Sequence, residues 1–256
     1  MRQAPKSSVF VSGILLQRFA AYIRSAFPSL DGWILIVYNN VMRNNTVIKN
    51  PKRQEPSAGG LLRQKQKDSL RLSLLDTASR MVAEGGTESL SLRKLAEEVG
   101  ASTMVVYTAF GSKEGLLDEL WKEGFRRLWE IEEGALKESD PLKRLRALGD
   151  AYRRNALSNP SFYKLVFGGR LPLSNLSQEM EKEQSRQTFM VLVQTISDCQ
   201  KAGLLSSKLR DVEIAAMFWS TAHGAISLEL SGMLSQWAEP DQIYNLNFDN
   251  LLRGLK

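Results

Sequence analysis

The sequence predicts an all-α fold on three observations. Beyond Lys67, apolar residues return at helical spacing in segment after segment; serines stand just ahead of several of these segments as N-caps; and Gly or Pro punctuates them with nothing strand-like in between.

The elements follow in order. Leu74, Leu75, Ala78, Met81 and Val82 form one apolar stripe at i, i+1, i+4, i+7 and i+8, and the run "EGG" ends it, defining a first helix from about Lys67. Ser91 can cap a second helix whose apolar face is Leu92, Leu95, Ala96 and Val99, ended by Gly100. Ser102 caps a third, which carries Val106 and Phe110 four residues apart, and Ser112 opens a longer fourth. Beyond Ser139, Asp140-Pro141, Asn159-Pro160, "GGRLP" and "KAGLLSS" divide the remainder into helices near 141–158, 160–168, 176–202, 211–233 and 240–253.

The chain of 256 residues is long enough for two domains, and 43% apolar with 24% charged residues is ordinary for a soluble globular protein. No stretch approaches the roughly 18 uncharged apolar residues of a membrane span. Cys199 is the only cysteine and His223 the only histidine. An intrachain disulfide, a zinc cluster and a His-based triad therefore have no residues to build them, which suits a reducing cytoplasm and a protein that uses neither metal nor cofactor. Carboxylate chemistry is not excluded by counting, yet no acid, base and nucleophile stand at a recognisable spacing, so no enzyme is expected.

The net charge of +6 is unevenly placed: residues 1–67 hold 11 Lys and Arg against Asp31 and Glu55, and the rest hold 23 against 26. A basic arm ahead of a near-neutral body suits a polyanion, nucleic acid ahead of an anionic membrane surface; a merely solvated tail is the plain alternative. Residues 1–60 read as a basic extension without a fold of its own, ending in a linker, and Met42 is an alternative start.

Between Leu95 and Phe110 a short capped helix, a glycine turn and a second short helix meet the demands of a helix-turn-helix, although plain packing of two helices has the same outline. With Val106 and Phe110 buried, Ser102, Thr103, Met104, Val105, Tyr107 and Thr108 remain outside, hydroxyl and apolar groups able to reach base edges, thymine methyls and phosphates.

"SLRKLAEEVGASTMVVYTAFGSKEGLL", Ser91 to Leu117, resembles the DNA-binding domain of TetR-family transcriptional regulators, with its Tyr-x-x-Phe recognition helix and a Lys opening helix four. The likeness spans roughly residues 67–117. "MFWSTAHGAISLEL" (217–230) is similar to the Trp-x-x-x-His-Gly signature of one TetR C-terminal subgroup, and "NPSFYKLVFGGRLP" (159–172) to the same subgroup. The resemblance implies that Thr103, Met104 and Val105 face bases, that Tyr107 and Lys113 hold phosphates, and that Ser91 caps helix two near the DNA backbone. Ala109 departs from the pattern, since many members carry His there. Residues 68–115 also sum to −2, five Lys and Arg against seven Asp and Glu, so the six cations between Lys49 and Lys67 are expected to supply the missing field.

The resemblance further implies domains at 61–115 (helix-turn-helix) and 116–256 (ligand binding and dimerisation), with a small-molecule cavity among helices four to eight. Trp121, Phe125, Trp129, Tyr152, Tyr163, Phe167 and Phe189 would give it aromatic walls suited to an apolar effector, with His223 among its few polar groups; an ordinary aromatic core and a satisfied buried histidine are the competing readings. Residues 217–230 are apolar on more than one helical face, which fits a homodimer through the last two long helices, on a palindromic double-stranded operator. A ligand-responsive repressor is the reading carried forward, against a helical dimer with a degenerate helix-turn-helix that no longer binds DNA.

Overall fold

Helix α1 (Ala58–Gly85) opens the part of the chain that the computed structural model describes, residues 58–168 and 175–256. The expectations for residues 1–57, a basic extension and an alternative start at Met42, lie outside it, as does the 169–172 part of the motif that begins at Asn159. α1 begins at Ala58, inside the stretch expected as linker and well before Lys67. Residues 61–69 are all exposed, so they present no apolar stripe to betray a helix, and the straight-chain residues of "LLRQKQK" sustain one by propensity. A 3-10 turn (Thr87–Ser89) leads to α2 (Leu92–Val99), α3 (Thr103–Phe110) and α4 (Lys113–Ala135).

The three serine caps form as the sequence predicts. Ser91, Ser102 and Ser112 accept from the backbone N–H of Lys94, Val105 and Gly115, the last at 3.1 Å. Gly100 sits at φ 70°, a left-handed position that L side chains rarely adopt, and this turn lets α3 leave α2 at a sharp angle. Leu74, Leu75 and Ala78 of α1, Leu95 of α2, Val106 and Phe110 of α3, and Leu116 and Leu120 of α4 close one core, joined by Phe162 and Leu165.

Five further helices complete the described chain: α5 (Pro141–Ser158), α6 (Pro160–Phe167), α7 (Asn175–Lys201), α8 (Asp211–Leu230) and α9 (Pro240–Gly254), with a 3-10 turn at Leu234–Gln236. α8 stops at Leu230, short of the expected 233. Asp140 caps α5 by accepting from the N–H groups of Leu142 and Lys143, with Pro141 in the first turn where no intrahelical N–H is needed. α5 is pinned by its arginines: Arg144 pairs with Asp198 of α7, Arg146 with Asp249 of α9, and Arg153 with Glu229 of α8 at 2.8 Å and Asp241 of α9 at 2.6 Å. Gly124 of α4 allows α6 to pass closely, since a Cβ there would stand 2.5 Å from Val166 Cγ2. Among the described residues there is no strand, and no helix is long and apolar enough to cross a membrane.

Candidate nucleic-acid interface and internal cavity

α3 is held from behind and open in front. Val106 is fully buried and Phe110 nearly so, whereas Thr103, Met104, Val105, Tyr107 and Thr108 are exposed, Met104 by 73%. An apolar side chain so exposed on a helix anchored at both ends is a contact surface waiting for a partner. Ser102 is also exposed but engaged as the cap, and Thr108 donates to the Met104 carbonyl at 2.8 Å, so neither hydroxyl is wholly unengaged. Ser91 is half-buried and occupied in capping, and Lys113 is half-buried at the start of α4.

The rear of α3 is fixed by a residue the sequence reading missed. Arg71 of α1 donates to the Ala109 carbonyl at 3.0 Å, pairs with Glu119 of α4 and lies 4.8 Å from the centre of the Phe110 ring. A cation on the last carbonyls of a helix also meets the negative end of its dipole. Its position four residues before the buried Leu75 places it at the edge of the core face, but an arginine among apolar positions carries no local signal of the carbonyl and ring it meets.

α4 runs from this interface into the second half of the molecule, roughly 34 Å for its 23 residues. Its Arg127 bonds Asp76 of α1 at 2.7 Å, Glu123 at 2.7 Å and Asn159 at 2.8 Å, and stacks 4.2 Å above the Phe162 ring. Burial pushes the Glu123 carboxyl up, but hydrogen bonds from Arg126 and Arg127 outweigh it and hold it below the usual range.

Past that junction lies a cavity of about 210 Å³ bounded by α4 to α9. Of the aromatic residues expected there, Phe125, Tyr152, Phe167 and Phe189 line it. Trp121 does not: it is buried against Phe125, ring centroids 4.6 Å apart, one layer behind the wall. Trp129 lies on the surface, 36% exposed, because Leu128 and Glu132 take the inward positions of that turn. Tyr163 and His223 also stand behind the lining, joined to it by hydrogen bonds.

In that polar cluster, Tyr163 Oη lies 2.7 Å and Tyr152 Oη 3.0 Å from His223 Nδ1, and Trp219 Nε1 donates to Tyr152 Oη at 3.3 Å. Burial lowers the His223 pKa, so the ring is neutral near pH 7, with Nδ1 engaged by the two tyrosine hydroxyls. Sequence reasoning missed Trp219, Phe218, Tyr244 and Phe248 of the lining, and Glu132 with them. Glu132 was detectable: it falls seven residues after Phe125 and four after Leu128, on the apolar stripe of α4. Among the described residues no group of three or more His, Cys, Asp or Glu is placed to hold a metal.

A helix-turn-helix with an outward apolar and hydroxyl face, joined by one long helix to a walled cavity, defines the architecture of a DNA-binding regulator with a sensing domain. Residues 74–120 match the family model described as bacterial regulatory proteins, tetR family, and residues 145–251 match that of the tetracyclin repressor-like C-terminal domain. The chain is 25% identical over 188 residues to the transcriptional regulator AcrR of Shigella flexneri, covering 69% of this chain and 81% of that protein. It is 24% identical to the fatty acid metabolism regulator protein of Bacillus subtilis, over 71% and 90% of the two chains. A solved structure of a Rhodococcus sp. RHA1 protein of unknown function is 30% identical, with a TM-score of 0.60 and 73% and 95% coverage. The chain belongs to the tetR family of bacterial regulatory proteins.

Proposed function

We propose that the protein is a cytoplasmic, homodimeric transcriptional repressor whose α3 reads the major groove of a palindromic operator and whose cavity takes a largely apolar effector that releases the DNA. The observation that carries this reading is the α3 face: Thr103, Met104, Val105 and Tyr107 exposed on a helix locked from behind by Val106, Phe110 and Arg71. Thr103, Met104 and Val105 are assigned to bases, Tyr107 and Lys113 to phosphates, and Ser91, Ser102 and Thr108 to positions beside the backbone. The −2 balance of residues 68–115 favours the rival reading, a dimer with a degenerate helix-turn-helix. Against it, Arg63, Lys65 and Lys67 stand exposed on α1 and add three cations to the same domain.

The exposed face of α8, with Ala216, Met217, Ser220, Gly224, Ser227 and Leu228, supports pairing with a second copy, and Leu246 is exposed on α9. Small residues at Ala216, Ser220 and Gly224 let another backbone come close. Trp219, His223 and Gly224 keep the spacing of the Trp-x-x-x-His-Gly subgroup, to which we assign the C-terminal domain. In this protein the signature does work inside the fold, Trp219 and His223 both bonding Tyr152. Selection of binding sites from a random duplex pool with the full chain tests the function. Recovery of two-fold symmetric sites, with half-sites one or more helical turns apart and affinity falling steeply with salt, is expected. Recovery of no enriched sequence would favour the degenerate dimer.

A further inference from the structure

The carboxyl of Glu132 lies in a place where acids are rarely left. Its side chain is on the wall of the cavity, the residue is only 6% exposed, and Oε2 has no hydrogen-bond partner among the described residues. The remaining described lining is mainly apolar or aromatic, with Phe125, Tyr152 and Phe167 on one side and Phe189 and Trp219 on another, and Ser185 and Thr188 of α7 are its small hydroxyl residues. Among the described residues no Lys or Arg is part of that lining. A buried carboxyl oxygen left without a partner costs stability, so its presence at this position calls for a partner that arrives from outside the chain.

We infer that Glu132 is the recognition group for the effector, and that the effector is an apolar molecule bearing one cationic nitrogen. This inference rests on the reading of the cavity as the effector site and adds the chemistry of its ligand. An ammonium bonds to carboxylate oxygen with a charge-assisted hydrogen bond, roughly twice as strong as a neutral one. The aromatic rings that line the cavity add cation–π attraction where a cation is desolvated among them. A carboxylate or phosphate head would find no cation on the wall among the described residues, and would disfavour ionisation of the Glu132 carboxyl. The supporting electrostatics agree: burial pushes the Glu132 carboxyl up to about 8, and no cation among the described residues offsets it. A bound cation is the partner that would restore its charge.

The test uses the full chain and three probes that share one alkyl tail: octylamine, octanol and octanoate, titrated by calorimetry near pH 7.5. Octylamine is expected to bind at least tenfold more tightly than octanol, with octanoate weakest. In Glu132→Gln, which keeps the shape and removes the charge, octylamine should lose at least tenfold and fall to the level of octanol, whose own affinity changes less than threefold. The wild-type ranking stands as a test even if the variant is recovered poorly. Octanoate binding as tightly as octylamine, or octylamine binding unchanged in Glu132→Gln, overturns the Glu132 assignment and leaves the cavity as an effector site. Failure of all three probes to bind wild-type protein overturns both.

Discussion

Arg127 Nη2 lies 2.7 Å from Asp76 Oδ1, and that ion pair joins the helix that leaves the DNA interface to the first helix of the helix-turn-helix core. The same guanidinium reaches Asn159 at the α5–α6 corner. Three segments that must move together, if a cavity is to govern a DNA-reading helix, meet at one side chain.

Arg127→Ala is accordingly expected to destabilise the protein by about 2–4 kcal/mol in denaturant titrations, because it leaves Glu123 nearly buried with only Arg126 and strips the Phe162 ring of its cover. Asp76→Asn should cost under about 1 kcal/mol, since Asp76 is half exposed and its loss leaves Arg127 with Glu123 and Asn159. Equal effects from the two would mean that the Asp76 contact, and not the buried cluster, dominates.

Changes on α3 should separate position from sequence. Tyr107→Phe and Lys113→Ala are expected to weaken binding to all duplexes about equally, with a shallower salt dependence for the lysine, whereas Thr103→Ala and Met104→Ala should alter which bases are selected. Competition assays with variant duplexes read this directly. A changed base preference in Tyr107→Phe would mean that the helix docks in another orientation.

Glu132 makes stability depend on pH in an unusual direction. Its carboxyl rises from an ordinary value of 4.5 to about 8 on folding, so between those values the native state holds a proton that the unfolded chain has released. Stability contributed by the protonated form is therefore present below about 4.5 and lost as pH rises to about 8. Tyr152 and Tyr244, the other titratable groups on the described wall, are both pushed upward by burial and lie outside that window. His223 behind them is lowered from its ordinary 6.5 by burial, which costs stability as pH falls below that value, but it does so in wild type and Glu132→Gln alike and cancels in their comparison. Glu132→Gln should raise the melting temperature, little near pH 5 and by several degrees near pH 8. An increase that is the same at both values would show that the carboxyl is not protonated in the folded protein.

Gly224→Arg tests the dimer face. A Cβ there meets nothing within 4 Å among the described residues, Gly224 is exposed, and replacing glycine in a helix interior adds helix propensity, so the protomer should fold as before. Sedimentation should shift to the monomer and operator affinity fall more than tenfold. Retention of a dimer would place the interface elsewhere.

The helix-turn-helix was legible because its signals are local: three serines at caps, Gly100 at a left-handed turn, and Val106 and Phe110 four residues apart. The cavity was legible only in composition. Trp121, Phe125 and Trp129 share one spacing, but which of them faces the interior depends on how α4 is rotated against α5 and α6, and the helix turns Leu128 and Glu132 inward instead of Trp129. Tyr163 and His223 were expected in the cavity and serve to hold Tyr152 instead, a pairing between residues 60 to 71 positions apart that no local pattern encodes. The start of α1 was hidden for the opposite reason, since a helix exposed all round has no stripe.

The central claim is that one helix, with Lys113 at the DNA end and Glu132 at the cavity end, couples the two sites, and coupling between two binding events is reciprocal. Whichever of octylamine, octanol and octanoate binds most tightly is to be titrated by calorimetry into the free protein and into its complex with a selected operator duplex. The account predicts that the complex binds the probe about five- to 150-fold more weakly than the free protein, and that the probe at saturation weakens operator binding by the same factor. Identical probe affinity with and without operator would contradict it.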